Sequence, residues 1–151
     1  MRFARVMLAI SLVAAASSCK QPFEDSDVDV GYYRLVTLDN NLLPASIPCQ
    51  DFFVRAGEIV LRRDGKANYS IIYSHIITGD TVTYSGDGTF TYANGNVMLD
   101  VVGKRSDDAG APTRYKVALP LRNGTLFREH VGAECDANST EAYHLSDMAV
   151  N

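Results

Sequence analysis

Chemistry in this chain of 151 residues would have to come from a short set of side chains. It has three histidines, three cysteines, eight tyrosines and a few loop carboxylates. None of His75, His130 and His144 stands in a His-Glu-x-x-His pattern or beside a cysteine ligand, so a zinc hydrolase is not expected. Neither Cys49 nor Cys135 has a second cysteine or histidine at zinc-ligand spacing. Glu129-His130, with Glu134 close by, offers a carboxylate–imidazole pair, but a charged strand end is the simpler reading. His75, on the more aromatic face of its strand, reads as a satisfied barrel histidine rather than a base. No serine lies in a Gly-x-Ser-x-Gly elbow. Gly86 and Gly88 form no phosphate loop, because no helix follows them and no Lys-Ser/Thr pair is present. Asp87, Asp107 and Asp108 lack the twelve-residue oxygen pattern of a calcium loop. We therefore expect no catalytic residue, no cofactor and no metal.

Tyrosine is what remains. Tyr69, Tyr73, Tyr84, Tyr92 and Tyr115 fall on alternating strand positions, and each presents an apolar ring with a polar tip. Converging inside a barrel, they could line a cavity for a small apolar ligand. Such side chains can equally fill a small barrel, and the filled interior is the favoured expectation. A cavity above about 300 Å³ would argue for a ligand instead.

The elements that would position these tyrosines are strands. With 46% hydrophobic and 21% charged residues, the composition is that of one ordinary folded domain. From residue 31 onward apolar and polar residues alternate between turn dipeptides. The pattern predicts strands over 31–38, 57–63, 66–78, 96–102, 113–121 and 125–131, with a short one at 143–145. Asp64-Gly65, Gly79-Asp80, Asn94-Gly95 and Asn123-Gly124 mark hairpin turns. Residues 81–84 and 89–93 flank Ser85-Gly86-Asp87-Gly88. Val82, Tyr84, Phe90 and Tyr92 keep one parity across it, as a bend within one long strand would require, although two short strands also fit. No stretch sustains helical periodicity for three turns. The expected fold is all-β, an antiparallel up-and-down barrel of seven to eight strands, with a β-sandwich as the alternative.

The order Gly31-Tyr32-Tyr33-Arg34-Leu35, Leu43-Pro44, Gly57-Glu58-Ile59-Val60-Leu61, Gly88-Thr89-Phe90-Thr91-Tyr92 and Asn123-Gly124-Thr125-Leu126 resembles the small lipocalin-like domains of bacterial envelope lipoproteins. The resemblance covers residues 31 to about 131. Tyr33 stands where lipocalins carry a tryptophan, and the chain has no Trp. The resemblance thus implies a fold rather than a particular ligand.

Residues 1–18 read as an export signal, with Arg2 and Arg5 ahead of an apolar run from Val6 to Ala16. That run is about 16 Å long as a helix, half of a bilayer core of ~30 Å. It ends Ala16-Ser17-Ser18-Cys19, which resembles the lipoprotein box whose cysteine is acylated; here Ala16 replaces the usual leucine. Lipidation of Cys19 would leave Cys49 and Cys135 as a pair, closing a loop of about 87 residues worth roughly 4 to 5 kcal/mol. Two free buried thiols are the alternative. Residues 19–30 read as an acidic tether, and 31–151 as the barrel domain.

Without Arg2 and Arg5, 12 basic residues face 18 acidic ones, a net charge of −6. This disfavours nucleic acid and anionic lipid as partners. The membrane would be reached through the lipid alone. Lys20 after the cysteine, in place of an aspartate, favours the outer membrane facing the periplasm. Two functions are expected in turn: non-enzymatic binding of a small amphipathic or lipid-like ligand, or an envelope interaction or structural module, for example an enzyme inhibitor. Intact-mass measurement of the membrane-extracted protein is expected to show acylated Cys19 as the first residue, with two protons missing for a Cys49–Cys135 bridge. An unacylated soluble protein, indistinguishable from its Cys19→Ala variant in membrane association, would overturn the anchor.

Overall fold

The computed structural model describes residues 28–47, 50–131 and 138–146. Cys19, the expected acylation site, and both Cys49 and Cys135 lie outside the described residues, as does Glu134. Ten strands order the chain: β1 (Gly31–Leu38), β2 (Asn41–Leu42), β3 (Ala45–Ser46), β4 (Phe52–Leu61), β5 (Lys66–His75), β6 (Thr81–Ala93), β7 (Asn96–Arg105), β8 (Thr113–Arg122), β9 (Thr125–Val131) and β10 (Asn138–Ser146). β4 to β10 pair antiparallel in chain order, and β1 pairs antiparallel with both β10 and β4. That double pairing closes an eight-stranded up-and-down barrel and excludes the sandwich. β2 and β3 are short additions that pair with β1 and β4.

Most strands lie where the alternation places them. β6 runs unbroken through Gly86 and Gly88, in continuous register with β5 and β7, so the single long strand is the correct alternative. β4 begins at Phe52 and β10 at Asn138, both earlier than the expected strands at 57 and 143. In β4 a register shift between Val54 and Ala56 breaks the period-two pattern that would have revealed its start. Val28 is already buried against the core, and Asp29 offers its carbonyl to the Tyr33 hydroxyl at 2.7 Å. Packing thus begins inside the stretch read as a tether.

The two ends of the barrel differ. At one end Asn94-Gly95 and Asn123-Gly124 turn with positive φ at both residues, the backbone of tight two-residue hairpins. Here the interior is solid: Tyr33, Ile59, Leu61, Phe90, Val97, Leu99, Leu119, Leu126 and Tyr143 are buried in one cluster. The opposite end carries the longer connections, residues 39–51, 76–80 and 106–112.

Two local devices shape the wall. Gly86 and Gly103 face each other across β6 and β7, and Gly88 faces Val101. A Cβ on Gly103 would lie 2.5 Å from the Gly86 Cα and nearer still to the Ser85 carbonyl, while one on Gly88 would lie 2.7 Å from the Val101 Cα. The missing side chains let the two backbones approach closely here. The second device is Pro120. Leu121 donates its N–H to Gly95 of the β6–β7 turn at 2.8 Å, so the alternating backbone points position 120 toward β9. Proline has no N–H to give there. β8 and β9 pair only at Leu121–Leu126 and Arg122–Thr125, and beyond Pro120 the strands part.

Gly103→Ala is expected to lower stability by about 1–3 kcal/mol through overpacking against backbone, read from the urea unfolding midpoint. An unchanged midpoint would mean that the two strands separate there at no cost.

Candidate functional site: a cavity over a buried arginine

The interior is not filled throughout. A cavity of about 320 Å³ is lined by Leu38, Ile47, Gln50, Phe52, Tyr69, Ile71, Tyr73, Val82, Tyr84, Arg105, Tyr115, Arg128, Ser139 and Glu141. Leu38, Phe52, Val82, Arg105 and Ser139 sit at strand ends beside the long connections. Gln50 and Arg105 are exposed, which places the mouth at that end. The favoured expectation of a filled interior therefore holds for the tight-turn end and fails for the other. The physical reason is the wide ring of loops: of the connection 39–51, Ile47 and Gln50 reach the cavity but leave it unfilled.

Tyr69, Tyr73, Tyr84 and Tyr115 line the cavity; Tyr92 packs, half-buried, against the solid core and does not line it. Tyr69 and Tyr84 have ring centroids 5.7 Å apart, and Tyr84 and Tyr115 6.2 Å, both tilted. Near the mouth Phe52 meets Tyr73 edge-on at 6.4 Å and His75 at 5.1 Å. His75 is half-buried, and its Nδ1 accepts the N–H groups of Ile77 and Thr78 at 3.2 and 3.3 Å. It organises the β5–β6 turn.

The base of the cavity is ionic. Arg128 and Glu141 have side chains only 8% and 2% exposed, and Arg128 Nη1 lies 3.5 Å from Glu141 Oε2. Arg128 also donates from Nη1 to the Tyr69 hydroxyl and from Nη2 to the Tyr115 hydroxyl. Its guanidinium carbon is 5.2 Å from the centroid of each of those rings, within cation–π range. Glu141 Oε2 accepts the Tyr143 hydroxyl at 2.6 Å. Burial opposes the charge on Arg128, but Tyr69 and Glu141 outweigh it and hold the group more firmly protonated than a free arginine. Burial, reinforced by Glu141, pushes the Tyr73 hydroxyl up to about 12. Burial raises Tyr69 well above its ordinary value, again with Glu141 adding to it, and raises Tyr143 likewise with Tyr69 adding. Tyr33, in the solid half, is held at about 12 by burial and by Asp29.

Arg128 and Glu141 are the site residues that strand alternation alone did not single out. A signal existed: Arg128 is two residues from Leu126 and Glu141 two from Tyr143, so each shares the inward parity of a core residue. Glu129 is exposed on the outer face, and the His130 side chain lies outside the described residues. His144 is exposed as well. Among the described residues no group of three histidine, cysteine or acidic side chains could hold a metal. No helix among them is long and apolar enough to cross a membrane. No protein-family model, curated protein or solved structure matches the chain.

The raised tyrosines set an alkaline limit. Below pH 10 the folded and unfolded chains both keep these protons, and their contribution is fully present. Above it the unfolded chain releases protons that Tyr33 and Tyr73 retain to about 12 and that Tyr69 and Tyr143 also hold well above their ordinary value. Stability should fall through this window by about 1.4 kcal/mol per pH unit for each proton withheld. Urea midpoints followed against pH, together with tyrosinate absorbance, test this; all tyrosines ionising near pH 10 in a still-folded protein would overturn it.

Proposed function

We propose that this protein is a non-enzymatic carrier: a lipid-anchored, lipocalin-like barrel of the bacterial envelope that holds one small amphipathic molecule. The observation that carries the reading is the cavity of about 320 Å³, walled by four tyrosines and open to solvent at one end. Its volume lies at the lower end of the range of small-molecule sites and equals about ten waters at ~30 Å³ each. Aromatic walls with a few fixed polar groups are the usual composition of such sites. The lining titratable groups are tyrosines, two arginines and Glu141, with no histidine or cysteine among the described lining residues to act as base for the Ser139 hydroxyl.

One feature favours the interaction module as a second reading. Leu42 and Ile77 are 74% and 78% exposed, and Ile76 is 45% exposed. Leu42 follows the turn after β1 and the isoleucines form the turn after β5, so all three stand at the mouth end. Exposed apolar groups clustered there suit contact with a partner protein.

Titration with the neutral fluorescent probe N-phenylnaphthylamine separates the readings. A carrier should bind it saturably at one site per chain, and Val82→Phe, which adds bulk to the cavity wall, should weaken binding at least tenfold. No saturable binding by the unmodified protein would overturn the carrier and leave the interaction module.

A further inference from the structure

We infer that Ser139 is the residue that reads the ligand and sets its direction in the cavity. The ligand class is an amphiphile whose apolar body leads inward among the tyrosine rings. Its hydroxyl, carbonyl or amide group trails toward the mouth and pairs with the Ser139 hydroxyl. This inference rests on the carrier reading and narrows it.

Position is the first support. β10 starts at the mouth end, and Ser139 is its second residue. It alternates with Glu141 and Tyr143, which are both buried in the interior, so its side chain points inward as well. Only 4% of the residue is exposed, and it lines the cavity. Its hydroxyl has no hydrogen-bond partner among the described residues and is open to the cavity. The Tyr84 hydroxyl, by contrast, is covered by its neighbours and takes no part. A serine hydroxyl both donates and accepts, so it suits any of the three ligand groups without a charge.

The second support is what surrounds that hydroxyl. Leu38, Phe52 and Val82 stand at the same end of the cavity, and their side chains offer no hydrogen bond. Deeper in, the polar groups of the base are engaged with one another. Arg128 holds the Tyr69 and Tyr115 hydroxyls and faces Glu141, Tyr73 directs its hydroxyl to Arg128 as well, and Glu141 accepts from Tyr143. A polar group carried to the base would give up its hydration among groups that are already bonded. Beside Ser139 it gains a hydrogen bond, while the apolar body fills the space below against rings and aliphatic side chains.

The test is equilibrium binding of naphthol and naphthalene to the full mature protein at neutral pH, repeated with Ser139→Ala. The two probes share one ring system and differ only in the hydroxyl. Ser139→Ala should weaken naphthol about fivefold, the order expected for one neutral hydrogen bond. It should leave naphthalene unchanged, which also shows that the variant retains its cavity. An equal naphthol affinity in the wild type and Ser139→Ala would overturn the role of Ser139 while the carrier stands. An equal loss for both probes would overturn it too, because that marks a change of cavity shape instead of a lost bond. Failure of both probes to bind the wild type would overturn the carrier reading itself.

Discussion

Strand β1 hydrogen-bonds on both sides, to β10 along one edge and to β4 along the other, and this closure governs what the rest of the chain can do. A closed sheet has no free edge, which removes the usual route to edge-to-edge association. It also encloses a fixed interior that must be filled or left hollow. At Gly88 and Gly103 the backbones of β6 and β7 approach too closely for a side chain between them, and at Gly86 the fit is tight. Where the connections are tight hairpins, large apolar residues fill the space. Where they are long, the interior opens into the cavity.

Burying Arg128 and Glu141 at the base of that cavity is costly unless both are fully engaged. The cluster meets this demand with tyrosine hydroxyls and ring faces as well as with the opposite charge. Leaving either member without the other would cost about 3–5 kcal/mol by comparison with similar buried pairs. The same cluster spans a weak place in the wall. Past Pro120 the β8–β9 ladder stops, and the bond from Arg128 to Tyr115 joins the two strands through side chains instead of backbone. The polar base of the cavity is therefore part of what holds the barrel shut. Its groups are committed to one another.

The barrel was legible in the sequence to the extent that its signals are local. A period of two and a turn dipeptide each need only a few neighbouring residues, so most strand positions and the all-β class could be read directly. Inward parity of Tyr69, Tyr73, Tyr84 and Tyr115 followed from the same alternation. β4 and β10 were cut short for a local reason too, because a register shift at Val54–Ala56 and a polar start at Asn138-Ser139-Thr140 hide the pattern.

By itself the sequence determined the strands, their turns and the faces on which the tyrosines lie, because side-chain alternation is a property of the extended backbone. Only the tertiary structure decided which of those faces meet a neighbour and which meet empty space. That choice depends on closure between β1 and β4 and on where the long loops stand, contacts between residues far apart in the chain. For this reason Tyr92 and Tyr84, identical in parity on one strand, end differently: both pack against the core, but only Tyr84 also lines the cavity. The pairing of Arg128 with Glu141 was likewise decided only when β9 and β10 came together in register.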